Sequence, residues 1–211
     1  MTMAVTREAA EQWIRAYAAA IAEHEQALTQ LDMAIGDGDH GTNMHRGFQA
    51  VVSRLPTVAE GDLSALFKLV GMTLLSTVGG TSGPLYGTLF LQMAVRAQGK
   101  SELAPEDLEA ALRAGLEGII ARGKAAPGDK TMIDALKPAQ DALRLALNQQ
   151  APLPEALRRA EEAARKGRDA TTAMEARKGR ASYLGPRSVG HPDPGATSAH
   201  LLMECAARTW V

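Results

Sequence analysis

The links between helices alternate in chemistry along this chain, and that alternation restricts the fold more than any other feature. Apolar residues recur at helical spacing almost throughout, and strand-type alternation is nearly absent. Four links are rich in glycine, aspartate and other polar residues: Asp37-Gly38-Asp39-His40-Gly41-Thr42-Asn43, Gly79-Gly80-Thr81-Ser82-Gly83-Pro84, Gly123-Lys124 through Lys130-Thr131, and Arg177 through Gly195. Each follows an odd-numbered predicted helix, whereas the links after even-numbered helices are bland. In an up-and-down bundle, alternate connections emerge at the same end. The four loaded loops are therefore expected to meet on one rim and to build a site there.

The first predicted helix places Ile14, Tyr17, Ile21, His24, Leu28, Leu31 and Ile35 on one face, with His24 as a hydrogen-bonded core residue, and Gly36 and Gly38 stop it. A second runs from about Thr42 to Leu55, ended by Pro56. The third starts near Asp62 as N-cap and turns Leu63, Phe67, Val70 and Leu74 inward. Pro84 sits in the first turn of a fourth that reaches about Arg96, and Pro105 opens a fifth that stops at Gly123. The sixth spans about Thr131 to Asn148 and contains Pro138, which predicts a kink or a frayed first turn. Pro154 opens the seventh, to about Ala176, and the eighth runs from about Pro194 to Trp210. The expectation is all-α: a single closed barrel or bundle of eight antiparallel up-and-down helices, with residues 1–211 as one domain and the site at one end.

Composition excludes several function classes. The net charge of −1 supplies no field to gather nucleic acid or an anionic membrane. No apolar run spans a bilayer, and Met1-Thr2-Met3-Ala4 lacks a secretory pattern, which points to the cytoplasm. The lone Cys205 lies in an apolar helical stretch and is expected to be a buried core residue in a reducing compartment.

Asp32, Asp37 and Asp39 are the strongest chemical signal. Flanking glycines let the backbone fold back so that three carboxylates converge, and three hard oxygen ligands suit magnesium better than zinc. The competing reading is a solvated turn in which Asp37 or Asp39 caps the following helix. A calcium-binding helix–loop–helix reading fails, because its sixth and twelfth positions would be Thr42 and Phe48 instead of glycine and glutamate. Gly118 through Ala125 nearly spells a Walker P-loop but ends in alanine and follows no strand. Thr81, Ser82 and their glycines place N–H groups and hydroxyls at a helix start, where an anion is favoured, and His40 through Asn43 do the same at the second helix. Met132 can pack on a flat base or on the core. Arg177, Lys178, Arg180 and Arg187 bring positive charge to the rim, and Asp193-Pro194-Gly195 makes a tight turn before the last helix.

The motifs Ile35 through Gly41, Gly79 through Thr88, Pro127 through Met132, Ala176 through Gly185 and Gly190 through Ala196 together resemble the nucleotide-binding L subunits of dihydroxyacetone kinases, in the right order over nearly the whole chain. His40 is similar to the sugar-kinase branch, since related fatty-acid-kinase domains carry threonine there, while Thr42 departs toward the latter. The resemblance implies ADP or ATP held across one end of the barrel by two magnesium ions, with Asp32, Asp37 and Asp39 as metal ligands. It implies that His40, Gly41, Thr42 and Asn43, with Thr81 and Ser82, line the phosphate and ribose. Gly123 and Met132 would contact the base, and Arg180 with the Asp193-Pro194-Gly195 turn would close the pocket.

Arg180, in a loop with nothing bulky beside it, is also the candidate catalytic residue, acting as an arginine finger on the transferring phosphoryl group. In the family the sugar is bound covalently on a separate K subunit or domain, a region expected to be absent from these 211 residues. ATP either exchanges freely or ADP stays bound and is recharged by a phosphotransferase-system M protein carrying phosphohistidine; a free-standing L chain favours the second. A homodimer, a kinase subunit for another small ketose or triose, a magnesium-dependent hydrolase and a non-catalytic ADP-binding regulator remain open on the residues alone.

Overall fold

The computed structural model describes residues 4–58 and 63–210. Among these the chain forms nine α-helices: α1 (Arg7–Glu23), α2 (Glu25–Ile35), α3 (His40–Arg54), α4 (Leu63–Thr77), α5 (Ser82–Arg96), α6 (Pro105–Gly123), α7 (Ile133–Asn148), α8 (Leu153–Ala170) and α9 (Pro194–Thr209). Each packs on the next in sequence, and α9 returns against α1 and α2, so the ring closes. Strand is confined to two two-residue segments, β1 (Val5–Thr6) and β2 (Glu102–Leu103), which pair antiparallel.

The predicted first helix is two helices, and this accounts for nine in place of eight. At His24 the backbone opens to φ −97°, ψ 8°, and the imidazole Nδ1 sits 2.9 Å from the Ala20 carbonyl. His24 is thus hydrogen-bonded but only half-buried, while Ile21 and Leu28 on either side stay in the core. α1 and α2 together act as one broken stave, and the ring has eight staves. The expected N-cap Asp62 lies outside the described residues. Pro138 stands inside an unbroken α7. It has no N–H to offer the Asp134 carbonyl, and Gly167 of α8 lies so close to that oxygen that a Cβ would meet it at 2.0 Å.

The core fills the ring. Every aromatic side chain except Tyr183 is buried, and they touch in a chain: Trp210 on Trp13 at 4.7 Å, Trp13 on Phe90 at 5.6 Å, Tyr17 edge-on to Phe48 at 4.7 Å. Trp13 Nε1 donates to the Leu202 carbonyl and Trp210 Nε1 to that of Ala9, which stitches the start of α1 to the end of α9. Cys205 is buried, and that burial raises its thiol to about 11, so it is inert as a nucleophile. No described helix is long and apolar enough to cross a membrane.

Candidate functional site

The parity of the ring puts the α2–α3, α4–α5, α6–α7 and α8–α9 connections at one end. They enclose a cavity of about 1060 Å³. Asp32, Asp37, Asp39 and His40 form one wall; Gly79, Gly80, Thr81 and Ser82 form a second. Gly123 and Met132 lie on a third, and Arg180 with Asp193, Pro194 and Gly195 on a fourth. Arg177, Lys178 and Tyr183 reach the same space, whereas Arg187 is exposed away from it. Met132 sits in both places the sequence allowed, on the cavity wall and within the core.

Ligand oxygens of Asp32, Asp37 and Asp39 all lie within 4.8 Å of one another. Asp32 is buried near the end of α2, and its Oδ2 accepts the Asp39 and His40 N–H groups at 2.8 and 3.1 Å. Asp32 thus does the capping that Asp37 or Asp39 could have done. Asp39 occupies the N-cap position of α3, yet its side chain caps nothing. Asp37 faces Arg180, whose Nε is 2.9 Å from its Oδ2. Three carboxylates this close repel one another, and a guanidinium on one of them offsets only part of that charge. The donor set is all hard oxygen, and its spacing suits a cation with metal–oxygen distances of about 2.0–2.1 Å. The residues fit magnesium.

His40 starts α3 and is buried; Nδ1 lies 3.0 Å from Ser82 Oγ and Nε2 2.9 Å from Ser198 Oγ, which also bonds the Tyr86 hydroxyl at 2.8 Å. Burial, opposed by the Asp32 charge, pulls this imidazole down to about 4, so it is neutral at pH 7 and positions Ser82 without adding charge. Three residues expected beside it are not on the cavity wall. Thr42 points to solvent. Asn43 is buried beneath Gly79 and accepts from Arg46 at 2.6 Å. Gly41 is a packing residue: a Cβ there would lie 2.1 Å from the Glu25 carbonyl oxygen of α2. At the start of α3, Asp32 takes the N–H groups of Asp39 and His40 only. Gly41→Ala is expected to cost about 1–3 kcal/mol in nucleotide-free protein, as overpacking against backbone does. Urea unfolding measures it; unchanged stability would return Gly41 to a ligand-facing role.

Two residues that organise the rim drew no role from the sequence. Asp134, near the start of α7, accepts the N–H groups of Gly128 and Thr131 at 2.5 and 2.7 Å and so shapes the preceding loop. Lys130 is buried with its ammonium among backbone carbonyls. The only local signal was a charged residue inside a glycine turn. α6 ends at Gly123 as expected, but the left-handed position after it belongs to Lys124, at φ 48°. At the last turn, Asp193 N-caps α9 by accepting the Ala196 N–H at 2.7 Å. Burial chiefly, with Asp134 and Asp32 nearby, pushes its carboxyl up to about 7 against the pull of that N–H and of Lys130.

Residues 34–208 match the family model of the DAK2 domain. The chain is 46% identical to the PEP-dependent dihydroxyacetone kinase ADP-binding subunit DhaL of Escherichia coli (strain K12), over 97% of this chain and 98% of that protein. It is 39% identical to an L-erythrulose 1-kinase of Mycolicibacterium smegmatis, over 87% of this chain but 32% of that protein. The crystal structure of the dihydroxyacetone kinase of C. freundii in complex with AMP-PNP and Mg²⁺ superposes with a TM-score of 0.71 at 29% identity. That match covers 93% of this chain and a third, 33%, of the larger one.

Proposed function

This chain belongs to the DAK2 domain family, and from that premise we propose that it is the nucleotide-binding subunit of a dihydroxyacetone kinase. The observation that supports it most is the acid cluster on one wall of the cavity with Arg180 across from it. That pairing is the charge layout of a site for a metal–polyphosphate. Asp32, Asp37 and Asp39 would hold two magnesium ions, which supply charge neutralisation on the phosphates. Gly79 through Ser82 present the start of α5 to phosphate oxygens, and Gly80 at φ 63° has open space around it. Met132 and Gly123 offer an apolar edge to the base. Arg180 would meet the charge that develops as the phosphoryl group leaves the nucleotide for a hydroxyl oxygen of the acceptor.

The acceptor is proposed to sit on a separate dihydroxyacetone-binding subunit. The relatives matched over nine-tenths or more of their length are named as ADP-binding subunits of PEP- or PTS-dependent kinases. Their names support bound ADP recharged by a phosphohistidine protein. The relative that acts on erythrulose fits a division in which this domain serves the nucleotide and another selects the sugar.

ADP with magnesium is expected to raise the melting temperature of the isolated chain. Ligand at about 100 times its Kd contributes about 2.7 kcal/mol, or roughly 5–10 °C for a domain of this size. Equal melting in ADP–magnesium and in EDTA would sink the nucleotide reading. Release of phosphate by the chain alone at kinase-like rates would favour a hydrolase instead.

A further inference from the structure

Lys130 borders the cavity, yet it is one of the largest fully buried side chains in the protein. Its Nζ donates to the carbonyls of Met174 at 3.1 Å, Ser188 at 2.7 Å and His191 at 2.6 Å. An ammonium has three donors, and here all three are spent on main chain. The acceptors are distributed in a telling way. Met174 precedes the segment that bears Arg180, and Ser188 and His191 follow it.

The same base is closed by further bonds. The Ala176 N–H donates to Ser188 Oγ at 2.9 Å, the Ser188 hydroxyl to the Gly185 carbonyl at 2.7 Å, and the Gly190 N–H to the Thr172 carbonyl at 2.8 Å. From the other side, the Arg177 N–H donates to the Asp129 carbonyl at 3.1 Å, one residue before Lys130. Residues 174–191 therefore make a loop with neighbouring ends and a tied base. Its tip is exposed and reaches the rest of the rim through Arg180 and Asp37. Lys130 itself sits at φ 61°, a conformation that costs a non-glycine residue and persists only where the surroundings impose it.

We propose that Lys130 is a positioning residue for phosphoryl transfer: it gathers both ends of the 174–191 loop onto one ammonium and so fixes where Arg180 can reach. The inference rests on the nucleotide-site reading for its purpose, but the tie itself is a property of the loop. Without the ammonium, three carbonyls, that of Ser188 buried and those of Met174 and His191 part-buried, lose their donor and the base opens. The Arg180 guanidinium then samples a wider arc over the cavity.

The test uses Lys130→Met, which keeps side-chain bulk and removes every donor. Hydrogen–deuterium exchange in nucleotide-free protein should accelerate about tenfold or more in peptides spanning 174–193, with α1 to α5 unchanged, as expected when charge-assisted bonds to a local unit are lost. Release of a fluorescent ADP analogue with magnesium should also quicken. Turnover measured with a sugar-binding partner should fall in Lys130→Met and in Arg180→Ala, and the double variant should be little worse than Arg180→Ala alone, because both act through one group. Should Lys130→Met fail to fold, Lys130→Gln, which retains two N–H donors, serves in the same comparison. Unchanged exchange in 174–193, a rise spread evenly over all helices, or fully additive losses in turnover would each overturn the proposal. A wild-type chain that binds no ADP would defeat the nucleotide reading, while the exchange result would still decide whether Lys130 ties the loop.

Discussion

Arg180→Ala is expected to lower phosphoryl transfer by about 10³–10⁵-fold, the range an arginine finger supplies, while ADP stays bound. The expectation follows from where the side chain is. Arg180 lines the cavity from the exposed tip of its loop, and its side chain is 68% exposed. Its ion pair to Asp37 is of the surface kind that contributes about 0–1 kcal/mol, so its loss should leave the melting temperature nearly unmoved. A large kinetic effect with no stability effect is the signature sought. Arg180→Lys, which keeps the charge but not the planar fork, should recover only part of the rate. The assay is dihydroxyacetone phosphate formation with a matching sugar-binding subunit present. Turnover near wild type would remove Arg180 from the chemistry.

The second large effect is a reversal of sign between two states of the protein. Asp32→Asn, Asp37→Asn and Asp39→Asn should each weaken ADP–magnesium binding by about 100-fold or more, since even second-layer partners of a metal ligand cost 10–100-fold. In EDTA, however, Asp39→Asn should melt no lower than wild type and is expected to melt higher. Three carboxylates within 4.8 Å destabilise each other when no cation lies between them. Asp32→Asn should be the weakest gain, because its Oδ2 also holds the start of α3 and one amide oxygen must take over that task. Equilibrium binding and thermal melting read the two arms. Wild-type affinity in all three variants would refute the metal assignment.

The convergence of the four loops was readable before any coordinates, because it depends only on helix parity and on where glycine interrupts an apolar period. The break at His24 was not. Ile21 and Leu28 both face the core across it, so the apolar stripe continues in phase through a residue that is no longer helical. Gly41 is ambiguous in the sequence for a different reason. A glycine that lets a helix approach the Glu25 carbonyl and one that lets a phosphate approach backbone are the same letter, and only the neighbour distinguishes them. Lys130 was beyond sequence reasoning, since its three acceptors lie more than forty residues away and are main-chain atoms with no side-chain signature.

The stitch between Trp210 and Ala9 sets where anything else can be attached. α2 delivers its C-terminal end to the cavity and α9 departs from it, so α1 begins and α9 finishes on the opposite face, side by side. A polypeptide joined at either point leaves the mouth clear. To bring a second module round to that mouth, a tether must cover about the length of one stave, roughly 24 Å for a sixteen-residue helix such as α9, or about seven or eight extended residues. A short flexible linker that matches this span holds the module at about millimolar effective concentration, and longer linkers at progressively less. The barrel's geometry is therefore compatible with both arrangements found among its relatives, a chain of similar length and about one third of a longer one.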